Sequence, residues 1–321
     1  MKTFDYTENI PTLKLSDFTS GNASQKQGFV EDLGQIYSEI GFVAITEHGF
    51  KKADQNKLYE AARSFFELPS AIKLKYDGSA TGGQRGYTGK GKEHAAGRSV
   101  GDLKEFYHIG KHLVGHESGH YQPNIFPDEV PDFESSTLRT YAMLEEVGKV
   151  MLSAIALYLG LDANHFEDKV DQGISILRPI HYFPLDDGKQ PLGAVRAAEH
   201  GDINLITLLM GASAEGLQVK RRDDQWIPVK PDIDALVVNV GDMLERYTNG
   251  KLKSTIHRVV NPPIEKMRTS RYSIPFFMHA NPNMALNCLD TCISEKYPKQ
   301  FDDITAEAFL MERLRAIGLI K

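Results

Sequence analysis

His200-Gly201-Asp202-Ile203-Asn204-Leu205-Ile206-Thr207-Leu208-Leu209-Met210 is the stretch that decides the fold, together with His257, 55 positions after Asp202. On a β-strand, residues i and i+2 point to the same side, so His200 and Asp202 can converge on one point. Two imidazoles and a carboxylate can occupy one face of an octahedral metal ion and leave three positions open. The second histidine must then come from a distant strand folded back beside the first.

The surrounding sequence is rich in strand signals. Residues 203–210 form a short apolar run of Leu and Ile that ends at Gly211. Leu236-Val237-Val238-Asn239-Val240 is a second run, broken by Gly241-Asp242. Residues 254–260 are β-branched and stop at Asn261-Pro262-Pro263, and Arg271-Tyr272-Ser273-Ile274-Pro275-Phe276-Phe277-Met278 follows. Short strands punctuated by turn residues predict a small antiparallel barrel or double-sheet jelly roll.

An isolated H-x-D occurs by chance in many proteins, so the neighbourhood has to carry the metal reading. Arg271-x-Ser273 begins 14 residues after His257. Strand alternation places both side chains on one face. A guanidinium fork fits a carboxylate in bidentate fashion, and a hydroxyl adds one more donor. The competing Arg268-Thr269-Ser270 lies at an odd offset and directly follows a proline-rich turn, so it reads as loop.

With these residues in place, the chain resembles the isopenicillin N synthase-like branch of the Fe(II)/2-oxoglutarate-dependent oxygenases, over nearly its whole length. Ile10-Pro11-Thr12-Leu13, Gly41-Phe42 with His48-Gly49, Phe65-Phe66-Glu67-Leu68-Pro69, Gly86-Tyr87 and Asp102-Leu103-Lys104-Glu105 recur in the family's order. The most specific stretch runs from Asn239-Val240-Gly241-Asp242 through Ser254-Thr255-Ile256-His257-Arg258-Val259. The resemblance implies a mixed α/β (α+β) chain, with a distorted double-stranded β-helix (jelly-roll) core and flanking helices. It implies Fe(II) on His200, Asp202 and His257. It implies 2-oxoglutarate chelating the iron through its oxo-acid end, with the far carboxylate on Arg271 and Ser273. Asn239-Val240-Gly241-Asp242 reads as structural, a tight turn under the site. O2 is the other cosubstrate, and ascorbate as a reductant is a further expectation.

One departure bears on the cosubstrate. Plant members carry Asn-Tyr-Tyr-Pro-Pro ahead of the metal motif, where this chain has His181-Tyr182-Phe183-Pro184-Leu185. Tyr182 and Phe183 are the candidate cosubstrate neighbours, and the second tyrosine's hydrogen bond is lost at Phe183. Candidate substrate contacts are Arg85, Tyr87, Lys104, Phe106 and His108, in the segment where the family shapes its pocket. Arg85 and Lys104 would suit an acidic substrate.

Three regions are expected: residues 1–170, an N-terminal helical and mixed region; 171–285, the oxygenase core; and 286–321, a C-terminal helical segment over the barrel. Together they would form one compact unit. Apolar periodicity predicts helices over 25–40, 138–159 and 304–320. The glycine-rich stretch 78–101 has the character of a lid or substrate loop.

Composition bounds the alternatives. The 321 residues are 41% hydrophobic and 25% charged, ordinary for a soluble globular chain. A net charge of −6 gives no field to attract nucleic acid or anionic membrane. The two cysteines, Cys288 and Cys292, are too few for a disulfide framework. No secretory leader or membrane span is legible, so the cytoplasm is the expected compartment, where iron also stays ferrous. The partner is a small-molecule substrate, and a monomer is compatible with everything read.

The activity implied is 2-oxoglutarate decarboxylation coupled to oxidation, most simply hydroxylation, of a small organic substrate, with release of succinate and CO2. One rival is an oxidase of the isopenicillin N synthase or aminocyclopropane-carboxylate oxidase kind, which takes no 2-oxoglutarate and would use Arg271 and Ser273 on its substrate. Two others are a non-catalytic ligand-binding module of the same fold and a zinc hydrolase on a similar ligand set.

Overall fold

The computed structural model describes residues 2–92, 103–112, 122–172, 174–185, 196–210, 216–232, 234–261 and 267–316. The helices are α1 (Leu15–Thr19), α2 (Ala23–Glu39), α3 (Lys52–Phe66), α4 (Ser70–Lys73), α5 (Asp132–Tyr158), α6 (Glu167–Val170), α7 (Asp242–Tyr247) and α8 (Ala306–Ala316). The first six strands are β1 (Thr12–Lys14), β2 (Phe42–Thr46), β3 (Gly86–Thr88), β4 (Lys104–Gly110), β5 (Ile176–Leu177) and β6 (Ile180–Tyr182). Then come β7 (Ala197–His200), β8 (Ile206–Met210), β9 (Leu217–Lys220), β10 (Trp226–Pro228), β11 (Leu236–Val240), β12 (His257–Val259) and β13 (Arg271–Met278).

The strands form two sheets. The larger runs β1-β2-β11-β8-β13-β5-β4-β3, with β6 bridging β13 and β4; the smaller runs β10-β9-β12-β7. Among the described residues, every strand ladder except β1–β2 is antiparallel. This is the jelly-roll core the sequence predicts. β1 to β4, from the N-terminal region, hydrogen-bond into the same sheet as the core strands.

β13 shows how alternation sorts the side chains. Ile274, Phe276 and Met278 are fully buried in the apolar core, whereas Arg271, Ser273, Pro275 and Phe277 line a cavity between the sheets. β4 does the same. Lys104, Phe106 and His108 face the cavity, and Glu105, Tyr107 and Ile109 face the helices.

α2 and α5, with α3 packed on α5, cover the outer face of the large sheet. α2 starts at a capping box in which Asn22 and Gln25 satisfy each other's backbone N–H groups. Its buried stripe of Phe29, Leu33, Ile36 and Tyr37 packs against α5 and β2, each side chain contributing about 1.5–3 kcal/mol of burial. α5 in turn packs on α3, β4, β8 and β13 and ends where Gly160 adopts φ +75°. Both predicted helices are therefore present; α5 starts six residues before the predicted 138, at Asp132.

The glycine-rich stretch is more regular than its composition suggests. It holds a 3₁₀ turn at Gly78–Thr81 and strand β3, and Gly82, Gly83 and Gln84 line the cavity. Its residues 93–101 lie outside the described residues. At the other end, the predicted helix over 304–320 is α8 at Ala306–Ala316, with the positions beyond 316 outside the described residues.

Gly34 is where α2 meets α5 most closely, since a Cβ there would lie 2.0 Å from the Tyr158 ring. Gly34→Ala should therefore destabilise the fold by about 1–3 kcal/mol, the usual cost of overpacking. Urea denaturation measures it, and an unchanged midpoint would mean that Tyr158 swings away freely.

Candidate metal centre and cosubstrate cavity

His257 on β12 pairs directly with His200 on β7, so the distant strand does fold back beside the first. The two rings stand 4.3 Å apart. Asp202 lies two residues beyond the end of β7, in the connection that crosses to β8 and the other sheet. Backbone crossover as well as strand alternation thus delivers the carboxylate. One donor atom from each of His200, Asp202 and His257 lies within 4.8 Å of the other two.

The donors are individually oriented. His200 Nδ1 sits 2.7 Å from the Ala198 carbonyl and His257 Nδ1 3.1 Å from that of Thr255. Carbonyl oxygens only accept, so each Nδ1 carries the proton and each Nε2 lone pair is left for an ion. Asp202 Oδ2 accepts from Thr207 Oγ1 at 2.6 Å and from Asn239 Nδ2 at 2.8 Å. Its Oδ1 stays 3.8 Å from His257 Nε2. His200 keeps an exposed edge, yet desolvation by the surrounding groups, then the neighbouring His257, push it down to about 4. Burial alone would raise the Asp202 carboxyl, but His257, His200, Asn239 and Thr207 outweigh it and hold it below the usual range. Two imidazole Nε2 atoms and one carboxylate with converging lone pairs suit a divalent first-row metal such as Fe(II).

The clamp on Asp202 extends to its backbone. Asp242 N donates to the Asp202 carbonyl at 2.7 Å, and a Cβ at position 241 would lie 2.2 Å from the Asn204 carbonyl oxygen. Only glycine permits that approach. Asn239 and Val240 end β11 and Asp242 begins α7, so the turn under the site is made at Gly241, and Asn239 also grips the carboxylate directly. That second role was not legible, because it depends on β11 lying beside β8.

The triad opens into a cavity of about 650 Å³. Arg271 and Ser273 line it from β13, and Tyr182 lines it from β6. The Arg271 guanidinium is buried and lies 4.8 Å over the Tyr182 ring. Phe183, the other candidate beside the cosubstrate, is turned away. It follows the end of β6, and its ring packs 4.9 Å from His181, away from the cavity. Arg268 lies in the turn before β13, so Arg271-x-Ser273 is the pair that faces the cavity.

Of the candidate substrate residues, Lys104, Phe106, His108 and Tyr87 line the cavity. The Tyr87 hydroxyl, however, donates to Glu105 behind the sheet at 2.6 Å. Arg85 is misplaced by the sequence reading. Gly86, at φ +83°, turns the chain after it, and the Arg85 guanidinium packs against Gly110, where a Cβ would lie 1.9 Å from Cζ. The sequence reading also missed Arg178, Phe277 and His279, all of which line the cavity. The Arg178 guanidinium lies 4.4 Å over Phe106 and 4.9 Å over Phe277, and its Nε donates to His108 Nε2 at 2.5 Å. His108 then donates from Nδ1 to the Gly83 carbonyl at 2.6 Å. One available signal was an arginine standing alone between the apolar pairs Ile176-Leu177 and Pro179-Ile180. At the mouth, Leu310, Arg313 and Leu314 of α8 complete the wall, and Arg313 pairs with Asp242 at 3.2 Å.

A jelly roll with an inward His-x-Asp…His set and a cationic carboxylate pocket defines a non-haem iron oxygenase, and known proteins agree. Residues 10–129 match the family described as the non-haem dioxygenase in morphine synthesis N-terminal region, and residues 175–280 match the 2OG-Fe(II) oxygenase superfamily. A 2-oxoglutarate-Fe(II) type oxidoreductase of Emericella nidulans, hxnY, is 31% identical over 310 residues, covering 92% of this chain and 87% of the relative. A crystal structure from Caulobacter crescentus, assigned to the 2OG-Fe(II) oxygenase family, is 39% identical with a TM-score of 0.87, covering 97% of this chain and 100% of that one. Neurospora crassa T7H, in complex with alpha-KG and thymine, is 30% identical with a TM-score of 0.87, each chain covered to 98%.

The chain belongs to the 2OG-Fe(II) oxygenase superfamily, in its isopenicillin N synthase-like branch. It is an oxidoreductase that uses Fe(II) and 2-oxoglutarate to oxidise a small organic substrate, releasing succinate and CO2. Relatives named for 2-oxoglutarate do not favour the oxidase that dispenses with it.

Asn239→Leu should weaken Fe(II) binding about 10- to 100-fold by freeing one oxygen of Asp202. Anaerobic titration with Fe(II) reads this directly, and an unaltered affinity would show that Thr207 alone suffices.

Proposed function

We propose that His200, Asp202 and His257 hold the iron and that Arg271 and Ser273 bind the far carboxylate of 2-oxoglutarate. A small polar substrate then enters beside Arg178 for hydroxylation. The observation that carries this is the geometry of β13. Its cavity face presents Arg271 and Ser273 at one end and Phe277 at the other, across from the triad. Bound iron supplies activation of O2 and couples it to decarboxylation of the oxo acid. The chain's own residues do the rest. The Arg271 fork orients the dicarboxylate, Tyr182 closes one side of that fork, and Phe106 and Phe277 keep water from the substrate side.

The substrate side offers a guanidinium held between two aromatic rings, with Lys104 also on the wall. That arrangement fits a flat molecule bearing a carbonyl or carboxylate. A planar heterocycle of the size of thymine is the first compound to test. We infer further that the protein works in the cytoplasm, without nucleic-acid or membrane partners. Its two cysteines are free thiols, its net charge is −6, and no described helix is long and apolar enough to cross a membrane.

Anaerobically prepared Fe(II) protein, given 2-oxoglutarate and air, should yield succinate, and His200→Ala should not. Arg271→Ala should raise the half-saturating 2-oxoglutarate concentration at least about tenfold, the worth of a charged buried hydrogen bond. If that concentration stayed put, the anchor would be elsewhere.

A further inference from the structure

Three strands, β4, β6 and β13, run side by side, and their register aligns residues in rows. Lys104 pairs with Tyr182, and Tyr182 with Arg271. This front row faces the cavity. One position on, Glu105 pairs with His181, and His181 with Tyr272. Side chains alternate, so this second row lies on the reverse face.

The back row is bonded along its length. Glu105 is 1% exposed, yet its carboxylate is fully engaged. It takes Lys73 Nζ at 2.7 Å, the Tyr87 hydroxyl at 2.6 Å and His181 Nδ1 at 2.8 Å. Lys73 also donates to the Phe66 carbonyl at 3.0 Å. The other nitrogen of His181 lies 2.9 Å from the Ser270 hydroxyl, one residue before Arg271. Tyr272 stacks on the His181 ring at 4.9 Å with 16° between planes. The imidazole therefore holds the start of β13 by a hydrogen bond on one side of Arg271 and a ring stack on the other.

Among the described residues, β8 and β5 pair with β13 only from Ile274 onward, so the Arg271–Ser273 end is paired on β6 alone, a strand of three residues. A slip of one residue would turn Arg271 out of the cavity. We propose that the Glu105–His181–Ser270/Tyr272 row is a register lock whose function is to present Arg271 to 2-oxoglutarate. His181 is the positioning residue. This inference rests on Arg271 being the cosubstrate anchor.

The test is anaerobic titration of the Fe(II) protein with 2-oxoglutarate, followed by the absorption of the iron-bound oxo acid, with Fe(II) affinity and melting temperature measured alongside. His181→Phe keeps the stack and removes both hydrogen bonds. It should weaken 2-oxoglutarate binding about fivefold or more, on the scale of a buried hydrogen bond, and leave Fe(II) affinity as it is. His181→Gln, which can still reach the Ser270 hydroxyl, should recover part of the loss. Unchanged 2-oxoglutarate affinity in His181→Phe overturns the proposal. So does an equal weakening in Gly34→Ala at the same loss of melting temperature, which would mark general loosening. If His181→Phe does not fold, Ser270→Ala carries the test: a two- to fivefold weakening supports the lock, and none removes it. Arg271→Ala separates the two ideas. If it leaves 2-oxoglutarate binding intact, the anchor reading fails; if it abolishes binding while the His181 variants do nothing, only the lock fails.

Discussion

A carboxylate buried between two sheets is the constraint on which the rest of this structure depends. Taking Asp202 out of water is expensive unless its oxygens are hydrogen-bonded or bound to cations. The large sheet supplies Thr207 and Asn239 to one oxygen, and the small sheet brings His257 toward the other. Much of the local architecture follows. β8 and β11 must be neighbours for Thr207 and Asn239 to meet one carboxylate. Position 241 must be glycine so that the turn can close against Asn204. The clamp is thus also the joint between the sheets.

From that joint the cavity is built by alternation. β13 and β4 each carry two sets of side chains, one for the apolar core and one for the ligands. The same rule explains why Tyr182 is beside Arg271 while Phe183 is not, and why Lys104 faces the cavity while Glu105 anchors the helical side. The Glu105 carboxylate behind the sheet takes three hydrogen bonds, and this lowers the cost of seating a buried ionic cluster beside the core.

The sequence made the strands and the ligand set legible because their signals are local. Leu236–Val240 and Arg271–Met278 begin and end where their apolar runs do. The histidine pair was legible as chemistry, though not as a register. What stayed hidden depends on pairings between distant segments. Asn239 reads as a turn residue until β11 is laid against β8. Glu105 reads as one charge among many until Lys73, Tyr87 and His181 surround it. Arg85 reads as a pocket residue until its guanidinium is seen packed on Gly110, a contact between separate segments that periodicity does not record. Arg178 was passed over because a lone charge in an apolar run has no periodic pattern to belong to.

Among the described residues, β7 stands at the edge of the small sheet, with β12 as its one strand neighbour. Its pairing shifts register between His257 and Val259, so the ladder there is short and irregular. His200, the last residue of that strand, is nevertheless one of the three ligands. An ion shared between His200 and His257 would act as an extra cross-strand rung, made of coordination bonds instead of amide hydrogen bonds. Affinity for the metal and order at this edge then become one linked quantity, and part of the binding free energy goes into holding a strand in place.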